Sequence, residues 1–289
     1  METSVKSIGV LGAGQMGGGI AQVAAQAGLN VKVFDSFAGS IEKCKGVHKK
    51  SLAKLVEKGK LQQADAEAAA GRISFVSTLD ALTGCDWIIE AVVEDLKVKR
   101  DIFAKLAEMY PDPNVVLASN TSSISITEIA ASAGKTAGRV VGMHFFNPVP
   151  IMQLVEVIPG LQTTKETSER TSALATKMGK TPLVASDRAG FVSNRVLMPM
   201  LNEAFYAWME GVATPEAIDG IMKLGCNFPM GPLRLADFIG LDTCVHIMNV
   251  LADGLNSDRY RACPLLKQLV AAGRLGDKSG RGVFEYAAK

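Results

Sequence analysis

The amino-acid sequence predicts an α/β protein, in which a Rossmann-type, mainly parallel sheet domain is followed by an all-α C-terminal domain. Short apolar runs typical of strands alternate with helical stretches up to about residue 186. Such alternation indicates a mainly parallel sheet with helices on both faces. Beyond residue 191 the apolar residues recur at helical spacing. We therefore expect two domains, 1–187 and 188–289.

Each predicted element follows from its own pattern of apolar residues and turn residues. Short β-type runs predict strands over residues 7–14, 30–35, 85–92, 114–119, 139–145, 152–159 and 181–186. Helical spacing predicts helices in the first domain over residues 15–28, 40–59, 64–71, 96–109, 126–131 and 166–179. In the second domain the same spacing predicts helices over residues 191–211, 215–224, after 231, 241–255 and 265–272.

Composition and charge narrow the classes of function. The 289-residue chain has 48% hydrophobic residues, enough for a sizeable core, and a net charge of +2. That charge gives no strong electrostatic reason to bind nucleic acid or an anionic membrane, and no uncharged apolar run approaches the roughly 20 residues of a membrane helix. The five cysteines are scattered without a CxxC pair, which favours reduced thiols in a cytoplasmic protein over disulfides or a zinc site. The opening residues lead straight into a strand pattern, so we expect no signal peptide.

The segment "GVLGAGQMGGGIA" contains Gly12, Gly14 and Gly17 in a GxGxxG motif between a predicted strand and a predicted helix. Gly12 permits a tight turn, Gly14 allows the backbone to approach a pyrophosphate, and Gly17 allows helix and strand to pack closely. The next strand ends at Asp35, where a carboxylate can bind both hydroxyls of an adenine ribose and would repel a 2′-phosphate. The pattern favours NAD over NADP. The alternative is a glycine turn beside a surface aspartate.

A row of lysines follows on the long predicted helix of the first domain. Lys50, Lys54 and Lys58 recur every fourth residue and form one stripe, with Ser51 beside it. Such a stripe is often a solvated basic face. The alternative is a binding surface for a phosphate-rich ligand tail, because clustered ammonium groups bind phosphates. We expect the nearby His48 to lie at the surface.

A hydroxyl-rich segment, "SNTSSISITEI", follows the predicted strand at residues 114–119. Its hydroxyls are suited to capping the helix that begins before Glu128. Loops at the carboxyl ends of parallel strands are also where such sheets bind ligands. Ser123 is therefore a candidate ligand contact, with helix capping as the alternative.

His144 is one of three histidines and ends a predicted strand, while Glu156 lies in the next strand. If these strands are neighbours, the carboxylate can hold the imidazole in one tautomer and stabilise its charged form, so that His144 exchanges a proton near neutral pH. A purely structural His–Glu pair is the alternative. No second histidine is near in sequence, so we predict no metal site. Asn194 begins an otherwise apolar helix, as a capping or core amide or as a ligand contact in a cleft between domains.

Taken together, these motifs closely resemble the short-chain L-3-hydroxyacyl-CoA dehydrogenases, and among them most closely the bacterial 3-hydroxybutyryl-CoA dehydrogenases. The resemblance covers essentially the whole chain. The block "GMHFFNPVPIMQLVEV" is highly specific around "HFFNP", and the other segments that carry the resemblance are "GVLGAGQMGGGIAQVAAQAG", "IIEAVVEDLKVK", "LASNTSSISIT", "AGFVSNRVLMPMLNEA", "FPMGPLRLADFIGLD" and "GDKSGRGVFEY".

The resemblance implies a role for each candidate residue. His144 would be the catalytic acid/base and Glu156 its orienting partner. Ser123 and Asn194 would position the thioester and the C3 oxygen of the substrate. Asp35 would bind the adenosine ribose, and the other implied NAD contacts are Gly12, Gly14, Gln15, Met16, Gly17, Glu94, Lys99, Asn120, Ser123 and Asn147. The implied contacts of the CoA substrate are Ser51, Lys54, Lys58, Ser123 and Asn194.

The implied reaction is the reversible, NAD-dependent oxidation of an (S)-3-hydroxyacyl-CoA to the 3-ketoacyl-CoA, with a four-carbon acyl group favoured. The resemblance also implies a homodimer formed by the helical second domain. Two other functions stay open. A dehydrogenase of a free hydroxy acid would not need the lysine stripe, and a protein that senses NAD without turnover would not need an acid/base pair.

Overall fold

The computed structural model describes residues 4–287, and the chain divides into two compact units between Asp187 and Arg188. The first unit contains an eight-stranded, mostly parallel sheet with helices between its strands. The second unit is built from α-helices. The predicted fold class, a Rossmann-type sheet domain followed by a helical domain, is therefore confirmed.

The strands of the sheet are β1 (Ser7–Leu11), β2 (Asn30–Phe34), β3 (Ile73–Val76), β4 (Trp87–Glu90), β5 (Val116–Ser119), β6 (Val140–Phe145), β7 (Leu154–Pro159) and β8 (Thr181–Val184). Their order across the sheet is β3-β2-β1-β4-β5-β6-β7-β8. Neighbouring strands are parallel except β6 and β7, which are antiparallel. The connection between these two is short, residues 146–153, and only antiparallel neighbours can be joined without a long crossover.

The helices of the first unit are α1 (Gln15–Gln26), α2 (Ala38–Glu57), α3 (Gln63–Gly71), α4 (Leu96–Met109), α5 (Ile126–Ser132) and α6 (Lys165–Lys177). The helices of the second unit are α7 (Ser193–Met209), α8 (Pro215–Gly225), α9 (Pro232–Ile239), α10 (Leu241–Gly254) and α11 (Pro264–Ala271). Short 3₁₀ helices cover Leu79–Leu82, Gly134–Arg139, Asp258–Tyr260 and Asp277–Ser279. Among residues 4–287 no single helix has the length and apolar character to cross a membrane, although α9 and α10, bent by 94° at their junction, meet that criterion as a pair by length and composition alone.

The central strands β4 and β5 are buried at every position. Trp87, Ile88 and Ile89 are all 0% exposed, because a strand covered by helices on both faces needs apolar side chains on both sides. Glu90 ends β4 and is equally buried, although its side chain is ionisable. The sheet therefore carries a buried carboxylate at the carboxyl end of its central strand.

The second unit has its own apolar core, formed largely where α7, α9, α10 and α11 pack together. Phe205 and Leu233 lie in that core and are 0% exposed. Proline occupies the start of three of these helices, at Pro215, Pro232 and Pro264. Its fixed φ suits the first helical position, where the missing N–H breaks no helical hydrogen bond.

Three details differ from the sequence prediction. β1 ends at Leu11, because Gly12 turns the chain with φ +97°. α7 begins at Ser193 because Phe191 takes the left-handed φ of +48°. The prediction missed β3, which has four residues, lies at the edge of the sheet and is only partly buried, so that its apolar pattern is too short to identify a strand.

The expectation that His48 lies at the surface is wrong, because His48 is 6% exposed. α2 buries Cys44, His48 and Leu52, four residues apart, on one face. The His48 Nε2 lies 2.7 Å from the carbonyl oxygen of Gly18 in α1, to which it donates because a carbonyl only accepts. Burial lowers the pKa of His48 from its usual 6.5, and the hydrogen bond to Gly18 opposes that shift only in part.

This lowered pKa predicts a loss of stability in acid. Below about pH 6.5 the unfolded chain binds a proton at His48 more readily than the folded protein does, so the contribution of this group is complete above that pH and is lost as pH falls towards the folded pKa. We expect the urea midpoint of the wild type to fall more steeply than that of His48→Gln between about pH 7.5 and about pH 5. His246→Gln, on the exposed side of α10, should follow the wild type. Parallel curves for the wild type and His48→Gln would contradict the prediction.

Candidate functional site

The glycine motif forms a tight turn that has no space for a side chain at Gly12 or Gly17 but is open at Gly14. The N–H of Gly12 donates to the carbonyl of Phe34 over 2.8 Å, and a Cβ on Gly12 would collide with the carbonyl of Ala91. A Cβ on Gly17 would collide with the carbonyl of Gly12. Gly14, by contrast, has no atom within 4 Å of a Cβ position, and it precedes α1 without a side-chain cap. The start of α1 is therefore open to an anionic group, which helix N–H groups bind well.

Asp35 follows β2 and is held beside this turn. Its Oδ2 accepts a hydrogen bond from the N–H of Ala13 over 2.7 Å, and its Oδ1 accepts one from the N–H of Phe37 over 2.8 Å. The side chain is half-buried. Each carboxylate oxygen has two acceptor positions, so the carboxylate retains capacity for ligand hydroxyls while its place beside the glycine turn is fixed.

The first residues of α1 contact the loop between β6 and β7. The Nε2 of Gln15 donates to the Oδ1 of Asn147 over 2.9 Å, which brings two predicted cofactor residues together although they are 132 positions apart. Met16 is half-buried and packs on the core of the first unit. The predicted cofactor contacts at the start of α1 and in the loop between β6 and β7 therefore lie next to each other.

Glu94 holds the hydroxyl-rich loop after β5. Its Oε1 accepts hydrogen bonds from the hydroxyls of Thr121 and Ser123, over 2.6 and 2.9 Å, and from the backbone N–H groups of Ser122 and Ser123, over 2.9 and 3.1 Å. Burial raises the pKa of Glu94, but the charge of Lys99 and these hydrogen bonds outweigh it and lower the pKa below its usual 4.5. Glu94 is therefore an ionised acceptor beneath Ser123, which is itself 8% exposed.

Glu90 is a residue of this site that the sequence reasoning missed. Its Oε1 lies 2.6 Å from the Nζ of Lys99, and the same Nζ lies 3.4 Å from the Oε2 of Glu94. The Oε2 of Glu90 accepts from the hydroxyl of Ser119 over 2.6 Å. Lys99 is 1% and Glu90 0% exposed. The available signal was a lone carboxylate at the end of the apolar run "WIIE", since a buried charge requires a partner.

The side-chain oxygen of Asn120 accepts a hydrogen bond from within the protein. Its Oδ1 accepts from the N–H of Phe145 over 2.8 Å, and its own N–H donates to the carbonyl of Glu90 over 2.8 Å. The amide thereby ties the end of β5 to the end of β6, next to His144. Its predicted role as a cofactor contact would use the amide nitrogen or the second acceptor position of Oδ1.

His144 and Glu156 form the hydrogen-bonded pair that the sequence predicts. They are directly opposite each other in the antiparallel pairing of β6 and β7, and the His144 Nδ1 lies 2.8 Å from the Glu156 Oε2. The residues are 7% and 3% exposed. With Glu156 ionised, its carboxylate only accepts, so Nδ1 is the donor in this contact and Nε2 is the other ring nitrogen. The ring of Phe146 lies 4.5 Å from the imidazole, centroid to centroid.

The remaining predicted residues lie elsewhere in the chain. Ser51 is half-buried and Lys54 exposed on α2, and Lys58 is exposed at the C-cap of that helix. Asn194 is buried near the start of α7 in the second unit, where its N–H donates to the carbonyl of Gly190 over 3.1 Å. Among residues 4–287, no group of three or more histidine, cysteine, aspartate or glutamate side chains is arranged to hold a metal ion.

The comparison with protein families covers both units. Residues 7–188 match the NAD-binding domain of 3-hydroxyacyl-CoA dehydrogenases, and residues 190–286 match the C-terminal domain of these enzymes. The chain belongs to the 3-hydroxyacyl-CoA dehydrogenase family. The predicted family resemblance is confirmed, and this family member is an oxidoreductase that carries the NAD-binding domain of the family.

Individual relatives of this dehydrogenase family member match over nearly the whole chain. A probable 3-hydroxybutyryl-CoA dehydrogenase of Deinococcus radiodurans is 58% identical over 278 residues, which cover 96% of this chain and 99% of the relative. A probable 3-hydroxybutyryl-CoA dehydrogenase of Bacillus subtilis is 54% identical over 285 residues, 99% of each chain. The crystal structure of (S)-3-hydroxybutyryl-CoA dehydrogenase from Ralstonia eutropha is 47% identical, with a TM-score of 0.94 over 99% of this chain and 100% of that one.

The buried ion pair predicts a large loss of stability in Lys99→Met. Removal of the ammonium leaves Glu90 buried without its cation, and breaking a buried pair in this way typically costs about 3–5 kcal/mol. The free energy of unfolding in urea measures the effect. Lys97→Met is the matched control, two residues away on α4, because its side chain is 87% exposed and pairs with Asp101 at the surface; we expect little change there. Equal stabilities of the two variants would contradict the prediction.

Proposed function

We propose that this protein catalyses the reversible, NAD-dependent oxidation of (S)-3-hydroxybutyryl-CoA to acetoacetyl-CoA. The observation that most supports this proposal is the contact of 2.8 Å between the His144 Nδ1 and the Glu156 Oε2, near the carboxyl end of β6 in a sheet whose first turn suits a dinucleotide. The names of the relatives from Deinococcus radiodurans and Ralstonia eutropha support the same substrate.

His144 supplies the acid/base chemistry in this proposal. In the oxidation direction the neutral imidazole takes the proton of the C3 hydroxyl at Nε2, and in the reduction direction the imidazolium returns a proton to the C3 ketone oxygen. Glu156 keeps the other proton on Nδ1 and stabilises the imidazolium. A buried imidazole without that carboxylate would lose the charge stabilisation that makes it a base near neutral pH.

The residues around the glycine turn fit NAD. Gly14 leaves open space at the start of α1, as a pyrophosphate requires, and Asp35 offers acceptors to ribose hydroxyls while opposing a 2′-phosphate. Glu94 and Asn147 are proposed contacts of the nicotinamide half and Asn120 is a further proposed cofactor contact. Lys99, which is 1% exposed, is proposed to act on the cofactor through Glu94. When bound, the nicotinamide supplies the hydride chemistry, and the protein supplies orientation and the proton.

The basic stripe on α2 is proposed to hold the phosphates of the CoA tail. Lys54 and Lys58 are exposed and Ser51 is half-buried beside them. In the second unit, Asn194 is proposed to position the substrate, and the helices are proposed to form a homodimer. Exposed apolar side chains on that unit support self-association, among them Val196, Val212, Ile221 and Leu224, which are 68%, 73%, 62% and 90% exposed.

The assignment of the base predicts the behaviour of His144→Ala. Loss of the general acid/base should lower kcat for the reduction of acetoacetyl-CoA by about 100-fold or more, measured as the loss of NADH absorbance. His246→Ala removes an exposed histidine from α10 and should keep wild-type kcat. A His144→Ala enzyme within a few-fold of wild type would show that the base is another group.

Parallel assays with NADPH should be much slower than with NADH.

The proposed CoA surface predicts a selective rise in KM. Lys54→Glu and Lys58→Glu should each raise the KM for acetoacetyl-CoA roughly tenfold with little change in kcat, because they repel phosphates without touching the reacting atoms. Lys49→Glu makes the same charge change on the same helix, about 140° around from Lys54, and should leave KM within about twofold. An unchanged KM in the Lys54 and Lys58 variants means that the stripe is a solvated face and favours a free hydroxy acid as substrate.

A further inference from the structure

The carboxyl end of β4 holds more hydrogen bonds than strand pairing requires. The side chain of Glu90 accepts from the N–H of Val92 over 2.8 Å, from the Nζ of Lys99 over 2.6 Å and from the hydroxyl of Ser119 over 2.6 Å. Its backbone carbonyl accepts from the N–H of Asn120 over 2.8 Å. One residue therefore contacts its own loop, α4 and the end of β5.

Lys99 continues this set of contacts towards the hydroxyl-rich loop. Its Nζ lies between the two carboxylates, 2.6 Å from Glu90 and 3.4 Å from Glu94. With the ammonium 1% exposed, water does not compensate for a displaced partner, so the position of Lys99 depends on both carboxylates. If the negative charge of Glu90 is removed, the attraction on Lys99 comes from Glu94 alone.

The position of Glu94 in turn determines the position of Ser123. The Ser123 hydroxyl lies 2.9 Å from the Glu94 Oε1, and an ionised carboxylate has no proton to give, so the hydroxyl donates. The Ser123 N–H donates to the same oxygen over 3.1 Å. With its proton directed at Glu94, Ser123 presents oxygen lone pairs to its other neighbours. A displacement of Glu94 therefore changes both the location and the donor/acceptor character of this hydroxyl.

We propose that Glu90 is a positioning residue of the active site, which acts through Lys99 and Glu94 to hold the Ser123 hydroxyl as a hydrogen-bond acceptor. This inference rests on the proposed function and on the contact of Ser123 with substrate or cofactor that the family resemblance implies. Glu90 itself touches neither, because its carboxylate is 0% exposed. The competing account is that Glu90 only stabilises the end of β4, in which case its loss would weaken the fold without acting through Ser123.

A double-mutant cycle between Glu90 and Ser123 separates the two accounts. We expect Glu90→Gln and Ser123→Ala each to lower kcat for the oxidation of (S)-3-hydroxybutyryl-CoA by about tenfold, with KM for the CoA substrate within about twofold. If Glu90 acts through Ser123, the double variant is about tenfold slower than wild type, within about threefold of the slower single variant. Losses that multiply to about 100-fold, or a Glu90→Gln enzyme with wild-type kcat, overturn the proposal.

Asp86→Asn is the matched control. Asp86 immediately precedes β4, at the other end of the same strand, and its Oδ2 accepts from the backbone N–H groups of Lys6 and Ser7 over 2.8 and 2.9 Å and from the Ser7 hydroxyl over 3.0 Å. Asp86→Asn therefore weakens the start of β4, and none of these contacts involves the hydroxyl-rich loop. We expect Asp86→Asn to leave kcat unchanged in the wild-type and in the Ser123→Ala backgrounds alike.

Two further measurements apply if Glu90→Gln does not fold or if the wild type lacks the proposed activity. If Glu90→Gln does not fold, as judged by circular dichroism, Ser119→Ala replaces it under the same criterion, because it removes the hydroxyl that donates to the Glu90 Oε2 over 2.6 Å, together with a longer contact of 3.3 Å from the N–H of Thr121. If wild type oxidises no 3-hydroxyacyl-CoA, the proposed function fails, and the same cycle is then read on the NADH dissociation constant from fluorescence titration. Additive losses of NADH affinity overturn the positioning role, and non-additive losses support it independently of the substrate.

Discussion

The reversal of strand direction between β6 and β7 is the constraint on which the contact between His144 and Glu156 depends. In the parallel part of the sheet, the residues that follow β1, β4 and β5 collect at one edge. β7 enters the sheet from that edge, so a residue near its start lies beside a residue near the end of β6. His144 and Glu156 are direct cross-strand partners for this reason. A register slip of one residue would give the imidazole an apolar neighbour from β7, Val155 or Val157, in place of the carboxylate, and the proposed proton chemistry would be lost with it.

The first unit buries two carboxylates, each beside a different kind of basic side chain. The two kinds of pair are suited to different roles. Glu156 is paired with a histidine, whose charge ordinarily changes near neutral pH. Glu90 is paired with Lys99 over 2.6 Å, and both side chains are almost completely buried. A pair that changes charge can take part in a proton cycle. A pair that keeps its charge can only hold atoms in place, which it does strongly because burial excludes the water that would compete. The two pairs are therefore suited to the two roles proposed for them, proton transfer for His144 with Glu156 and orientation for Glu90 with Lys99.

The parts of the site that could be read from the sequence are local or periodic. The glycine turn and Asp35 follow each other within one βαβ unit, and the His144–Glu156 pair required only that two successive strands be neighbours. Glu90 could not be assigned in this way, because its partners depend on how α4 and β5 pack against β4. The sequence shows only a carboxylate at the end of an apolar run, which indicates that a partner is needed but not which residue it is. His48 was misread for a related reason. The lysines around it suggested a solvated helix, whereas its spacing from Cys44 and Leu52 marks a buried face.

The hydrogen-bond character of Ser123 restricts what the hydroxyl-rich loop can recognise. A hydroxyl whose proton is directed at an ionised Glu94 accepts from a donor such as an alcohol O–H or a carboxamide N–H, and it offers no proton to a ketone or thioester oxygen. When protonated, His144 is a donor at Nε2, and when neutral it is an acceptor there. The ketone oxygen is therefore matched by the imidazolium and not by Ser123, which favours donor groups of the ligand. Glu94 thereby limits the Ser123 hydroxyl to donor groups of a ligand, and Lys99 and the hydrogen bonds of the loop keep Glu94 ionised against the effect of burial.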